Sequence, residues 1–155
     1  MPITVRRATI KDLETLYKIE RECFTLEAFT KQHITFLLEN PHNIRLAAWK
    51  NNEIAGFIIG LIQNFNKTRI GRVYTLDVAV KHRRKGIGLK LLNELEQVFI
   101  EKGVKNCYLE ARTDNMAARE LYRKHGYTKV KHLKDYYSKG IHGTLLVKKL
   151  LYGVQ

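Results

Sequence analysis

Residues 83–88 read Arg83-Arg84-Lys85-Gly86-Ile87-Gly88, and they join an apolar run, Tyr74 to Val80, to a helical pattern from Ile87 to Lys102. Gly86 and Gly88 allow the backbone to turn sharply and to approach a ligand closely. The first N–H groups of the following helix have no intrahelical acceptor, so they point at any anion bound there. Together with three successive cationic side chains, this strand-turn-helix junction predicts a site for a diphosphate.

Two other phosphate-binding loops do not fit this turn. The dinucleotide fingerprint requires G-x-G-x-x-G, and the P-loop requires four residues between its first glycine and Gly-Lys-Ser/Thr; the chain has neither. From the hexapeptide alone, a basic turn that simply caps a helix stays an open alternative.

Length and composition set the broad class. We expect 155 residues with 45% hydrophobic content to form one domain, residues 1–155. The sequence has no run of about 18 uncharged apolar residues and no secretory h-region at its start, which predicts a cytoplasmic protein without membrane contact. A net charge of +13 predicts attraction to a phosphorylated cofactor, acidic peptides or RNA, although a solvated basic surface is the commoner explanation.

Cysteines and histidines give no sign of a metal site. Cys23 and Cys107 lie far apart in apolar patterns, so we interpret both as buried thiols rather than a disulfide or a paired metal motif. The six histidines fall at no metal-ligand spacing. We therefore predict no bound metal.

Hydrophobic periodicity predicts the element order β-α-α-β-β-β-α-β-α-β-β. The predicted strands cover residues 3–8, 44–49, 54–63, 69–80, 104–111, 127–133 and 144–151. Thr9 and Thr30 are predicted to cap the first two helices and Asp114 the fourth, and Gly103 follows the third. Short polar turns between the second, third and fourth strands predict an antiparallel meander.

This order and these motifs resemble the GNAT superfamily of acetyl-CoA-dependent N-acyltransferases. The resemblance covers nearly the whole chain and is strongest from Tyr74 to Tyr137. It implies an α/β (α+β) GNAT fold, with a central, mostly antiparallel mixed sheet of about seven strands flanked by four helices. The segments that carry it are Tyr74 to Val80, Arg83 to Gly88, Tyr108 to Arg112, Asn115 and Glu120 to Tyr127.

Within the superfamily, the chain looks like the N-terminal protein acetyltransferases, including the bacterial ribosomal-protein alanine acetyltransferase and the archaeal and eukaryotic catalytic subunits. The segment from Leu109 to Tyr122, followed by the tandem tyrosines Tyr136 and Tyr137, carries this narrower resemblance. It implies acetyl-CoA as donor and protein N-termini as acceptors.

The resemblance also implies residues that hold the donor. The backbone of Val78, Ala79 and Val80 would pair with the pantetheine arm, and the Asn115 side chain would contact the cofactor from the neighbouring helix. The turn that would wrap the pyrophosphate consists of Arg83, Arg84, Lys85, Gly86, Ile87, Gly88 and Leu89. The alternative interpretation of Asn115 is a first-turn helix residue with no ligand.

Two further residues match catalytic positions of the resembled enzymes. Glu110 matches the general base, and Tyr122 matches the tyrosine proposed to protonate the departing thiolate. An α-amine has a reference pKa of about 7.7 to 8, against about 10.4 for lysine, so one carboxylate suffices to complete its deprotonation. The alternatives are a strand glutamate paired with Arg112 or a lysine, and a core aromatic.

The acceptor would lie between the loop after the first helix and a tyrosine-bearing loop near the carboxyl end. The residues matched to peptide contacts are Phe24, Leu26, Glu27, Phe29, Tyr74, Tyr136 and Tyr137. Ordinary helix-end packing would also explain Phe24 and Phe29, and Glu27 would then be a surface acid.

The chain departs from its resembled relatives at Gly140-Ile141-His142-Gly143, at Thr25 and at Asp77, which puts the preferred first residues of the substrate in doubt. Polyamines, other small amines or lysine side chains stay open as acceptors. A third hypothesis treats Lys81 to Lys85 as a nucleic-acid contact of a binding module, but no interleaved aromatic platform accompanies it. Weak ribosome or RNA association is compatible with catalysis, and the sequence does not indicate an oligomeric state.

Overall fold

The computed structural model of the chain describes residues 2–25 and 27–150. Within them, the chain forms seven strands and four α-helices in the predicted order. The helices are α1 (Leu13–Cys23), α2 (Lys31–Glu39), α3 (Ile87–Glu101) and α4 (Met116–Lys124). The strands are β1 (Thr4–Arg7), β2 (Ile44–Lys50), β3 (Glu53–Phe65), β4 (Thr68–Val78), β5 (Asn106–Arg112), β6 (Thr128–Ser138) and β7 (Ile141–Lys149).

The strands form one sheet in the order β1-β2-β3-β4-β5-β7-β6. β4 and β5 pair in parallel, whereas β1 with β2, β2 with β3, β5 with β7, and β6 with β7 pair antiparallel. This arrangement confirms the predicted α/β fold with a mixed sheet. Sequence patterning did not indicate that β7 would lie between β5 and β6.

Contacts within the chain divide the described residues into two compact units. Unit 1 contains the residues up to 61 together with Tyr74–Val98, and unit 2 contains Ile62–Val73 together with residues 99–150. β3 and β4 contribute residues to both. The prediction of a single domain over residues 1–155 stays a prediction.

Helix caps place the first two helices of unit 1. The Thr9 side chain accepts from the Lys11 N–H at 3.3 Å, and Asp12 Oδ2 accepts from the Thr9 N–H at 2.9 Å. This capping box, confirmed as predicted, opens a 3-10 turn that leads into α1. Thr30 caps α2 by accepting from the His33 N–H at 3.1 Å. A core of unit 1 lies beneath these helices and includes Leu16, Ile19, Ile34, Leu37, Phe57 and Ile59.

The meander is joined by two tight turns. Asn51 and Asn52 have φ values of 52° and 65°, and Asn66 and Lys67 have 49° and 66°. Two successive left-handed residues are the signature of the hairpin turn whose twist matches that of the flanking strands, and asparagine tolerates them well.

The structure corrects four predictions about the ends of elements, three of them in unit 2 and one, the end of β4, in unit 1. The N-cap of α4 is Asn115, whose Oδ1 accepts from the Ala118 N–H at 3.1 Å, and not Asp114. Asp114 instead accepts two hydrogen bonds from the Arg112 guanidinium, which takes its carboxylate away from the helix end. The predicted strand at 127–133 extends to Ser138, and the predicted strand at 144–151 begins at Ile141, with residue 151 outside the described residues. β4 ends at Val78, because Val80 enters a 3-10 turn.

Candidate active site

The basic turn of unit 1 has the conformation that the sequence predicts. Arg84 and Gly86 have φ values of 63° and 79°, and α3 begins at Ile87. A Cβ atom added at Gly86 would meet nothing within 4 Å, and one at Gly88 would only touch Val78 Cγ2 at 3.6 Å. Gly86 is therefore explained by its left-handed φ, whereas packing within the protein does not require glycine at position 88.

Cations gather at this turn. Arg83, Arg84 and Lys85 are exposed, and the closeness of Lys85 to Lys50, at the end of β2, lowers the pKa of Lys50. Two like charges held near one another attract an anion. The sequence did not single out Lys50, because only the pairing of β2 in the meander brings it near the turn.

The strand end at Val78, Ala79 and Val80 already has partners within unit 1. The Ala79 N–H donates to the Ala55 carbonyl oxygen at 2.8 Å, and the Val80 N–H donates to the Glu22 carboxylate at 3.1 Å. The Val78 carbonyl accepts from Arg83 Nε at 3.1 Å. A ligand that paired with the Val78 carbonyl or the Val80 N–H would therefore replace side-chain contacts, whereas the Val80 carbonyl accepts from the Arg83 N–H at 3.3 Å.

Arg83 also donates to Cys23 Sγ at 3.3 Å, and that thiol donates to the Val78 carbonyl at 3.4 Å. Cys23 is half-buried, which corrects the prediction of two buried thiols; Cys107 is buried as predicted. Burial raises the pKa of the Cys23 thiol to about 11. The thiol is thus protonated near neutral pH and acts as a donor.

The predicted peptide-contacting residues of unit 1 lie on two elements. Phe24 follows the last residue of α1, and its N–H donates to the Glu20 carbonyl at 3.0 Å. The Glu27 carboxylate accepts from the Thr25 N–H at 3.1 Å, and the Phe29 ring lies 4.5 Å from the His33 ring. Tyr74, on β4, is partly exposed. Leu26 lies outside the described residues.

In unit 2 the predicted general base, Glu110, contacts Tyr136, one of the tandem tyrosines predicted to contact the peptide. The Tyr136 hydroxyl donates to Glu110 Oε1 at 2.8 Å, and Arg72 Nη1 lies 3.4 Å from Glu110 Oε2. The partner of Glu110 is therefore Arg72 on β4 and not Arg112, which pairs with Asp114. Desolvation, aided by the hydrogen bond to Glu110, raises the pKa of Tyr136 to about 12, so this hydroxyl keeps its proton.

A bulge in β6 presents the tandem tyrosines, where the sequence predicts a loop. The pairing of β6 with β7 is irregular between Leu133 and Ser138, and Asp135 has a φ of 53°. Asp135 Oδ1 accepts from the Gly140 N–H at 2.7 Å, and the Asp135 N–H donates to His142 Nδ1 at 2.9 Å. Residues 140–142, where the sequence departs from its relatives, thus hold the bulge in place.

Gly143 completes this arrangement. A Cβ atom there would lie 3.2 to 3.3 Å from atoms of Tyr136 and Tyr137, so a bare glycine lets both side chains pack on β7. The two tyrosine rings contact each other edge to face, with centroids 5.0 Å apart. Neither Gly143 nor Arg72 was a predicted site residue. The sequence named Gly143 only as part of the stretch 140–143 that departs from the resembled relatives, and Arg72 had no local signal.

Tyr122 lies in α4, and Asn115 is the N-cap of the same helix. The Tyr122 ring is partly buried and lies 6.1 Å from the Tyr127 ring in an edge-to-face arrangement. Because Asn115 Oδ1 caps the helix, only its Nδ2 group could donate to a ligand without releasing the cap. The capping role of Asn115 is thus compatible with a cofactor contact.

No group of three or more His, Cys, Asp or Glu among the described residues is arranged to hold a metal ion. Within the same part of the chain, none of the helices is long and apolar enough to cross a membrane.

The sequence as a whole and the fold match a known class of enzyme. The chain belongs to the acetyltransferase (GNAT) family, whose model matches residues 13–127. An uncharacterised N-acetyltransferase of Methanocaldococcus jannaschii is 32% identical over 148 residues, which cover 94% of this chain and 90% of the relative. The N-alpha-acetyltransferase RimI of Mycobacterium tuberculosis is 32% identical over 149 residues, which cover 88% and 85%.

Among solved structures, that of Ard1 from Thermoplasma volcanium has a TM-score of 0.86 at 25% identity, and the match covers 97% of this chain and 99% of that one. The predicted family, the predicted fold and the prediction of an acetyltransferase are confirmed. The roles of individual site residues stay predictions.

Proposed function

We propose that this enzyme transfers the acetyl group of acetyl-CoA to the α-amine of protein N-termini. The observation that carries the proposal is the 2.8 Å hydrogen bond between Tyr136 and Glu110. It joins a carboxylate suited to accept a proton with a tyrosine pair suited to hold a peptide backbone. The relative named N-alpha-acetyltransferase, from M. tuberculosis, supports the same acceptor class.

The turn of unit 1 fits the donor's pyrophosphate. The leading N–H groups of α3, from Ile87 to Leu89, supply hydrogen-bond donors, and Arg84 with Lys85 supplies counter-charge. Gly88 leaves room where packing does not require it. Acetyl-CoA would contribute a thioester whose carbonyl carbon is attacked by the amine. Side chains of the protein would remove the proton of the amine and protonate the leaving thiolate.

Glu110 is placed to remove the proton from the attacking amine, directly or through a water. Its side chain is 25% exposed, so it is accessible, and the Arg72 guanidinium offsets its charge and fixes its orientation. The amine nitrogen forms a bond to carbon while the carbon–sulfur bond breaks. The Tyr122 hydroxyl would then protonate the departing thiolate, which leaves the α-amine acetylated and CoA as a thiol.

Acceptor chemistry favours an α-amine over a lysine. An α-amine with a pKa of about 7.7 to 8 is partly neutral near physiological pH, so one carboxylate is enough. The cytoplasmic location, and a weak association with the ribosome or RNA through the +13 net charge, stay predictions.

The test measures the release of CoA thiol with four acceptors: peptides that differ in their first two residues, the same peptides with a blocked α-amine, a peptide whose only free amine is a lysine, and spermidine. Mass spectrometry locates the acetyl group. Turnover confined to free α-amines is expected. Turnover of spermidine or lysine with none at α-amines would overturn the proposal and assign another acceptor.

A further inference from the structure

Unit 1 contains two buried carboxyl groups that the proposed reaction does not use. Asp77 on β4 is fully buried, and Glu20 on α1 is 1% exposed. Thr75, also buried, lies between them: its hydroxyl is hydrogen-bonded to Asp77 Oδ1 and lies 3.2 Å from Glu20 Oε1. The other oxygen of Glu20 accepts from the Phe29 N–H at 3.0 Å. A chain of polar contacts thus leads from β4 to the predicted peptide-contacting segment.

The single hydrogen of the Thr75 hydroxyl limits the direction of the hydrogen bonds in this chain of contacts. A hydroxyl has one hydrogen, so Thr75 can donate to only one of its two carboxyl neighbours, and the other neighbour must donate to the Thr75 oxygen. Glu20 accepts from the Phe29 N–H and is suited to accept from Thr75 as well. Asp77 is left as the group that carries a proton and donates it.

The surroundings of Asp77 agree with that assignment. Among the described residues, Asp77 Oδ2 has no hydrogen-bond partner, a situation far less costly for a neutral acid than for a carboxylate. Burial, aided by Glu20, raises the pKa of Asp77 well above its ordinary value, against smaller opposing effects of Thr75 and Arg83. The remaining titratable neighbour, the Cys23 thiol, is protonated.

We propose that Asp77, Thr75 and Glu20 are positioning residues for the acceptor segment at residues 27–30. Protonated Asp77 donates to Thr75, Thr75 donates to Glu20, and Glu20 holds the Phe29 N–H. Loss of the Asp77 proton leaves the Thr75 hydroxyl with one hydrogen between two competing acceptors, so its hydrogen bond to Glu20 and the contact of Glu20 with the Phe29 N–H weaken. The inference rests on the proposed function only where it assigns Phe29 to peptide binding.

The experiment follows the Phe29 amide and the acceptor separately. Hydrogen exchange measured by NMR gives the protection factor of the Phe29 amide as a function of pH, corrected for the intrinsic rate. Steady-state kinetics give KM and kcat for a peptide. The variants are Thr75→Val, Thr75→Ser and Asp77→Asn, with Glu94→Gln as a control that removes an exposed carboxylate of α3.

Thr75→Val should lower the Phe29 protection factor by about tenfold and raise the peptide KM by a similar factor with little change in kcat, since the hydrogen bond from Thr75 to Glu20 is lost. Thr75→Ser should restore both. Wild-type protection should fall at alkaline pH. Asp77→Asn should keep its protection there, because an amide donates to Thr75 but cannot ionise.

Unchanged Phe29 protection in Thr75→Val, or the same alkaline loss in Asp77→Asn as in the wild type, would overturn the proposal. The exchange measurement does not require turnover. If wild-type enzyme acetylates no peptide but Phe29 protection responds as expected, the proposed function fails and the positioning chain stands. If peptides are acetylated with a KM indifferent to Thr75→Val, the function stands and the positioning role fails.

Discussion

Glu110 illustrates how a single side chain acquires a role from its neighbours. Both of its oxygens have partners, Arg72 at 3.4 Å and Tyr136 at 2.8 Å, and these partners come from different strands. A strand glutamate on its own would be a surface acid. Held between a guanidinium and a hydroxyl that keeps its proton, it is an oriented carboxylate, which is what a general base requires.

Glu110→Gln should reduce kcat by about 10² to 10⁴-fold, because the amide cannot accept the amine proton. The thermal midpoint should change little, since the amide can still accept from Tyr136. Initial rates at saturating peptide check the first expectation and a melting curve checks the second. Glu120→Gln, which removes an exposed carboxylate paired with Arg123 on α4, is the matched control and should keep full activity. A kcat of Glu110→Gln within twofold of wild type would contradict the assignment.

The Gly88→Ala variant tests whether glycine at position 88 is needed for the approach of a ligand or for packing within the protein. The added methyl would only touch Val78 at 3.6 Å, and alanine is favoured over glycine in a helix by about 0.5–1 kcal/mol, so stability should be equal or higher. The KM for acetyl-CoA should nevertheless rise by about tenfold or more, because the methyl occupies the donor's place.

Gly86→Ala is the contrasting variant. Its Cβ would enter open space, but the φ of 79° should cost about 1–2 kcal/mol of unfolding free energy. Urea denaturation and acetyl-CoA saturation curves measure both quantities for both variants. A Gly88→Ala enzyme that is destabilised while its KM stays at the wild-type value would show that position 88 serves packing.

At the scale of elements, β6 and β7 form the part of unit 2 that presents the tandem tyrosines. The bulge at Asp135 is held by the Gly140 N–H and by His142, and Gly143 leaves space for the rings. A β-bulge re-aims side chains that a regular strand would alternate between two faces. This geometry lets adjacent residues, Tyr136 and Tyr137, contact each other.

Gly143→Ala should therefore disturb the packing of Tyr136 and Tyr137 without disturbing the predicted acetyl-CoA site. A Cβ atom 3.2 Å from Tyr136 and 3.3 Å from Tyr137 forces one of the rings to move. We expect the peptide KM to rise by about tenfold and the acetyl-CoA KM to stay constant, which makes the second constant an internal control. Equal increases in both constants would mean that the substitution disturbs the fold more widely.

At the scale of the whole molecule, a buried acid links stability to pH. Because the folded state raises the pKa of Asp77, it holds this proton more tightly than the unfolded state does. The favourable contribution is complete below the unfolded pKa of about 3.9 and is lost as pH rises through the folded pKa. At pH values above the folded-state pKa, folding must bury the charged carboxylate of Asp77.

The free energy of unfolding of Asp77→Asn should thus depend less on pH than that of wild type, and the wild type should lose stability relative to the variant as pH rises. Urea denaturation from mildly acidic to alkaline pH measures both curves. Glu94→Gln should follow the wild-type curve. Parallel curves for wild type and Asp77→Asn would show that Asp77 is ionised throughout that range.

Short-range signals in the sequence determined the helix caps, the turns and the order of the elements in this protein, with one exception. The capping box at Thr9, the cap at Thr30, the left-handed Gly103 and the basic turn at residues 83–88 all depend on neighbours within a few residues, so the sequence predicted them together with the element order. The exception is the cap of α4. Asp114 and Asn115 are both good caps, and the choice depended on Arg112, which binds the aspartate.

Tertiary structure alone decided which distant residues meet. Periodicity predicts that a strand has a buried face, but it does not identify the neighbouring strand, so the place of β7 between β5 and β6 was not visible. For the same reason Arg72, 38 residues from Glu110, and Glu20, 55 residues from Thr75, gave no local sign of their contacts. The sequence determined the family and most of the elements, whereas the partners of its buried and catalytic carboxyl groups depend on strand pairing and helix packing, which bring residues together across long stretches of chain.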